Sequence, residues 1–399
     1  MIKNLFLFLI TFFSIINIDN SLSPNDNIPN APAGDNKPVL NEIKLDINSE
    51  AGILMEISSG KILFSKNEEK RLYPASMTKM MGLYLIFEGL ENNLFTLNDE
   101  VCVSSNAASM GGTQIYLETN EIMKVEDLIK SVAINSANDA MVALAEYHSS
   151  SEEEFVNNMN KKAKEFNMLN TNYVNSTGFD DPNHYTCAKD MAYLCKRLIE
   201  DYGDYFIKYS SILEAYVREE SSNPFWLVNT NKLLRYYDGL DCGKTGFTST
   251  SKYCLTTSAK RSNVRFIAVA MKAETKEKRS QDITKMLNYG FSKFQSMKLF
   301  SMGNILTNCK FDNSDSNNTP IGFTKDIYIS IPKEISKDDL EITYELLDLK
   351  APKNKGDVVG VLKVKVDDYY YEFDLVCLED VYVLSYENLF YKTLLDILF

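Results

Sequence analysis

The spacing of apolar residues changes period twice along this 399-residue chain, and that order of textures limits the folds open to it. Near residues 45–65 the segments AGILMEI and KILFS alternate on either side of Ser58, Ser59 and Gly60, the pattern of two strands joined by a turn. Helical spacing then takes over at 77–90, 125–133, 141–148, 152–166 and 189–199. After Tyr236 the segments YCLTTSAK and VRFIAVAM read as paired strands, and 275–294 closes as a helix. Strands at both ends of a helical middle predict one α/β domain of the α+β kind over residues 41–298. Beyond Asn304, DIYISIPK, LEITYELL, VVGVLKVKV and YYYEFDLVCL are short strand patterns punctuated by Asn, Asp, Pro and Gly, so residues 304–384 predict a small all-β sandwich domain.

The two ends carry a different message. Lys3 precedes an apolar run at 5–16 that turns polar at Asn17, the layout of a secretory signal over residues 1–22 and too short for a comfortable membrane span. The Pro, Asn and Asp-rich stretch that follows, residues 23–40, reads as a linker. At the other end, Asn388, Lys392 and Asp396 fall four apart on one stripe of a helix over 386–399, and apolar residues cover the rest. Such a helix must dock on a domain, a partner or a lipid surface, and its place in an exported chain points to a membrane surface.

Composition narrows the chemistry. Lys plus Arg is 42 against 55 for Asp plus Glu, a net charge of −13 with no basic tract, so nucleic acid is not a partner. Only His148 and His184 are present, which argues against a histidine-built metal site, and no cofactor is implied. The seven cysteines lack a C-x-x-C spacing and are odd in number; they read as scattered small hydrophobes rather than a disulfide framework.

Pro74-Ala75-Ser76-Met77-Thr78-Lys79 stands where the hairpin ends and a helix begins. Positions i and i+3 share a helix face, so Lys79 is expected beside the Ser76 hydroxyl, at a helix N-terminus that favours a developing alkoxide. A lysine replaces histidine as a base only if burial or a second cation lowers its pKa, and Met80, Met81, Leu83 and Tyr84 offer the burial. Ser-x-x-Lys spacings also occur at Ser58, Ser249 and Ser330, each without a helix behind it. Two further elements follow in order: Ser136-Ala137-Asn138, sixty residues on, and the single Lys244-Thr245-Gly246, 108 residues after Ser136. Lys-Thr-Gly at the head of a strand gives a cation and a hydroxyl on an edge able to take an extended peptide with a terminal carboxylate, and Gly246 permits close backbone approach. Lys244 is also the second cation that Lys79 requires.

These three elements resemble the active-site serine penicillin-recognising enzymes. PASMTKMM, VEDLIKS leading into INSANDAMVALAE, HYTCAKDMA and NTNKLLRYYDGLDCGKTGFT are similar to the D-alanyl-D-alanine carboxypeptidases, the low-molecular-weight penicillin-binding proteins, and the likeness runs over residues 45–399. It implies a DD-peptidase-like catalytic domain, a β-sandwich and a membrane-anchoring helix, on the extracytoplasmic face of a bacterial membrane. It further implies that Ser76 is the nucleophile, Lys79 its base, Ser136 a proton relay and Asn138 the group orienting Lys79. Lys244 and Thr245 would bind the substrate carboxylate beside Gly246, with an oxyanion hole at the amides of Ser76 and Phe247. The implied substrate is the peptidoglycan stem pentapeptide, and β-lactams should acylate Ser76. Two alternatives stand beside this. A β-lactamase needs a carboxylate for deacylation, and Glu165 near Leu169-Asn170 approaches that pattern with one residue too many; a non-catalytic wall-binding scaffold predicts a damaged motif, whereas all six motif side chains are intact. His184 reads as a loop hydrogen-bond donor, and Glu152, Glu153 and Glu154 as a charged first helical turn.

Overall fold

The structure, a computed structural model, describes residues 45–387 except 222, 315, 317 and 368, together with 390 and 394. The signal over 1–22, the linker over 23–40 and the helix over 386–399 thus lie wholly or largely outside the described residues.

Chain contacts divide the described residues into two compact units that part between Phe294 and Gln295. The first begins with β1 (Ala51–Glu56) and β2 (Ile62–Lys66), an antiparallel hairpin. A helical half follows: α1 (Lys79–Glu91), a small pairing of β3 (Glu100–Cys102) with β4 (Ile122–Lys124) around α2 (Ser105–Ala108), then α3 (Val125–Lys130), α4 (Asn138–Ser149), α5 (Glu152–Glu165) and α6 (Ala188–Ser210). The hairpin of β5 (Glu214–Val217) and β6 (Phe225–Val228) leads to β7 (Leu240–Thr248), β8 (Lys252–Arg261), β9 (Val264–Ala273) and α7 (Lys276–Lys293). The main sheet has the order β2-β1-β9-β8-β7, which leaves β7 on an edge.

Period-2 alternation on β9 explains how this sheet is buried on both sides. Ile267, Val269 and Met271 enter the core shared with α1, α4 and α6, whereas Phe266, Ala268 and Ala270 enter a second core with Ile283, Met286 and Leu287 of α7. Helix α1 lies inside the first core with eleven of its thirteen residues buried, so it is apolar nearly all round and shows little amphipathic contrast. Each of its large side chains, Leu83, Ile86 and Phe87 among them, removes enough surface from water to stabilise the fold by roughly 1.5–3 kcal/mol.

The second unit opens with β10 (Phe294–Phe300), followed by β11 (Ile305–Cys309), β12 (Thr319–Gly322), β13 (Ile327–Pro332), β14 (Glu341–Leu346), β15 (Val358–Val366) and β16 (Tyr369–Cys377). A five-stranded sheet, β11-β12-β16-β15-β14, and the β10-β13 pair enclose a core of Leu299, Ile329, Ile331, Leu362 and Val364. Tyr371 of β16 donates a hydrogen bond to the Ser330 carbonyl of β13, tying the two sheets. The sequence reading ran the first domain to residue 298; β10 follows α7 directly and pairs inside the second unit. Among the described residues no helix is long and apolar enough to cross a membrane.

Candidate active site

Ser76 does not sit on an α-helix. Residues Ala75–Thr78 form a 3-10 turn at the head of α1, entered by Ala75 at φ +48°. In a 3-10 turn residues i and i+3 eclipse, so Lys79 lies directly beneath Ser76, with Nζ 3.2 Å from Oγ. Met77, Thr78 and Lys79 are fully buried, and Ser76 faces a cleft of about 480 Å³. Strand β7 crosses tightly here: a Cβ on Gly246 would stand 2.5 Å from the Pro74 carbonyl oxygen. That is the close approach expected of the glycine, although Lys-Thr-Gly lies in mid-strand and not at its head.

The Lys79 amine donates to Asn138 Oδ1 and to the Thr177 carbonyl, each at 2.7 Å. Both are acceptors only, and together they take the two N–H groups of a neutral amine, leaving its lone pair for the Ser76 hydroxyl. Burial holds the Lys79 pKa well below the ordinary lysine value, and repulsion from Lys244 adds to the effect. Asn138 is fixed in turn, since its Nδ2 donates to the Gly111 carbonyl at 2.8 Å.

Ser136 follows a π-turn over Ser131–Asn135 and adopts a left-handed conformation at φ +70°. Its Oγ accepts from Lys244 Nζ at 2.7 Å, and the same ammonium donates to the Thr245 carbonyl at 3.1 Å. Lys244 is fully buried, and burial brings its pKa down to about 7. Lys244 itself is not among the residues that line the cleft, whereas Ser136, which its ammonium holds, is. Thr245, whose hydroxyl donates to Thr230, lines the cleft together with Gly246 and Phe247.

Three cations line the cleft, the exposed Lys232 and Lys276 and the buried Arg279 in the first turn of α7. Arg279 is 6% exposed, its Nε has no hydrogen-bond partner, its Nη2 donates to the Ser280 hydroxyl at 3.4 Å, and among the described residues it forms no ion pair. A buried guanidinium without an anion is costly, which suits it to a carboxylate supplied from outside. Sequence reasoning missed it, but a signal existed: Arg279 falls on the buried stripe of α7 with Asp282, Ile283 and Met286.

Two further groups act from behind. The loop after α5 supplies the Thr177 carbonyl, and Asn175 Oδ1 organises it by accepting from the amides of Gly178 and Phe179. His184 is buried; its Nδ1 accepts from the Val174 amide, so the Nε2–H donates to Thr78 Oγ1 at 2.8 Å. The ring is neutral, its pKa lowered to about 4 chiefly by burial, and it braces the turn between Ser76 and Lys79. Glu165 is half-exposed, pairs with Lys162 at 2.9 Å and does not line the cleft. Glu152 caps the Ser176 amide and hydroxyl in addition to standing in the first turn of α5.

Residues 37–275 match the family model described as D-alanyl-D-alanine carboxypeptidase, and residues 294–383 match that of the penicillin-binding protein 5 C-terminal domain. The D-alanyl-D-alanine carboxypeptidase DacF of Bacillus subtilis is 41% identical over 320 residues, covering 80% of this chain and 82% of its own. DacA of Haemophilus influenzae is 34% identical over 330 residues, with 80% and 82% covered. Among solved structures, penicillin binding protein 5 from Haemophilus influenzae aligns with a TM-score of 0.68 at 32% identity, covering 84% of this chain and 98% of that one. On sequence, fold and extent of match, the chain belongs to the D-alanyl-D-alanine carboxypeptidase family.

Proposed function

We propose that the chain removes the terminal D-alanine from peptidoglycan stem pentapeptides through an acyl-enzyme on Ser76. The observation that carries this reading is the buried Lys79 amine, with both N–H groups engaged and Ser76 Oγ at 3.2 Å. Neutral Lys79 takes the hydroxyl proton as Oγ attacks the carbonyl of the penultimate D-alanine. The amides of Ser76 and Phe247 would hold the oxyanion. Ser136, polarised by the Lys244 ammonium, relays the proton from Lys79 to the leaving nitrogen as its bond to the carbonyl carbon breaks, which restores the neutral Lys79 amine, and Thr245 and Arg279 receive the terminal carboxylate. Water then cleaves the ester, with Lys79 again the base.

A β-lactam presents a carboxylate and a strained amide to the same groups and acylates Ser76. Glu165 faces solvent away from the cleft, so nothing favours the β-lactamase reading. The apolar run at 5–16 supports export, and the stripe of Asn388, Lys392 and Asp396 on an otherwise apolar segment supports attachment of residues 386–399 to the outer face of the cytoplasmic membrane. The test is D-alanine release from a stem pentapeptide. One D-alanine per peptide is expected from the wild-type chain and none from Ser76→Ala, whereas release by both proteins, or by neither, removes the reading.

A further inference from the structure

Tyr116 carries an exposed aromatic ring on a backbone that resists it. Its φ is +58°, a left-handed conformation costly for an aromatic residue, and the side chain is 67% exposed. The surroundings hold this conformation from four directions. The Asp139 carboxylate accepts from the amides on either side, Ile115 at 3.0 Å and Leu117 at 3.1 Å. Arg218, itself at φ +58°, donates to the carbonyls of Ile115 at 2.8 Å and Tyr116 at 3.3 Å, while Glu121 pins its guanidinium. A fold that spends strain and a buried carboxylate to set one ring in water is presenting that ring. Phe225 lies 6.1 Å from it, centroid to centroid, and widens the apolar face.

The position relates the ring to the catalytic groups. Asp139 directly follows Asn138, and a Cβ on Gly112 would stand 2.8 Å from Asn138 Nδ2. From Gly112 to Tyr116 is four residues, a reach of at most about 14 Å. On the substrate, the sugar that bears the stem peptide likewise lies four residues from the scissile bond, a separation of the same order. Thr113 borders the cleft on the approach to Tyr116, whereas the leaving residue's carboxylate goes to Arg279.

We propose that Tyr116, flanked by Phe225, is a platform for a pyranose ring of the glycan strand that carries the stem peptide, an inference that rests on the proposed activity toward that peptide. The axial C–H face of an N-acetylated pyranose packs on an aromatic face, and a ring fixed beforehand loses little freedom on binding.

The test compares kcat/KM for a free pentapeptide with that for the same peptide on its disaccharide, using the full chain. The wild type should prefer the glycan-bearing substrate, and Tyr116→Ala should lower that preference ratio about three- to tenfold. Tyr116→Phe, which keeps the ring, should retain it. Tyr216→Ala is the control, because Tyr216 is a half-exposed aromatic on the other face of the β5/β6 hairpin. An unchanged ratio in Tyr116→Ala, or an equal fall in Tyr216→Ala, overturns the platform. If neither peptide is hydrolysed by the wild type, the activity reading fails instead. Calorimetric titration with an N-acetylglucosamine tetramer then decides the platform alone: heat of binding lost in Tyr116→Ala supports it, and no binding to the wild type ends it.

Discussion

Lys79 and Lys244 are two buried amines in one site, and their mutual repulsion is relieved by Lys79 giving up its proton. Burial brings the Lys244 pKa down to about 7, and its ammonium holds Ser136 from below. Activity should therefore rise with pH as Lys79 deprotonates, in a range well below the ordinary lysine value, and fall as pH passes through the Lys244 titration. Lys244→Arg should extend the alkaline limb upward, because a guanidinium stays charged throughout; a pH profile of kcat/KM for the two proteins checks this, and coincident alkaline limbs would remove Lys244 from the role. The motif residues were legible in sequence because a short spacing fixes their geometry locally: three residues place Lys79 under Ser76 in either kind of helical turn. Arg279 and the Thr177 carbonyl were not, since the fold brings them to Ser76 from 203 and 101 positions away, and no local pattern encodes that meeting.

At the scale of elements, the site depends on three backbones converging within van der Waals distance: the Ser76 turn, strand β7 and the 175–179 loop. Gly178 is the tightest point, at φ +90° with a hypothetical Cβ 1.9 Å from the Ala75 carbonyl oxygen. Gly178→Ala combines a left-handed alanine with a backbone clash, so it should destabilise the catalytic unit by about 2 kcal/mol or more and move the Thr177 carbonyl off Lys79. Denaturant unfolding and acylation rate should fall together; a variant as stable and as fast as wild type would show that the loop yields freely. The long elements were readable from periodicity, as in β8, β9 and α7, where apolar residues repeat over ten or more positions. The β3/β4 and β5/β6 pairs are only three or four residues long, and strand β10 begins where α7 ends, so no period had room to establish itself.

For the molecule as a whole, two cores are built from one chain, divided between Phe294 and Gln295. The proposed catalytic groups lie together in the first unit, where the sheet edge, the helical part and α7 each contribute to a single cleft. The central claim is that this cleft forms a covalent ester on Ser76 with Lys79 as base. Intact-mass spectrometry of the full chain incubated with benzylpenicillin, beside Ser76→Ala and Lys79→Ala, tests it most directly. The account predicts a one-to-one adduct on the wild-type protein, none on Ser76→Ala, and adduct formation slowed about 10²–10⁴-fold in Lys79→Ala. An adduct that persists in Ser76→Ala, or one that forms at the wild-type rate without Lys79, would contradict it.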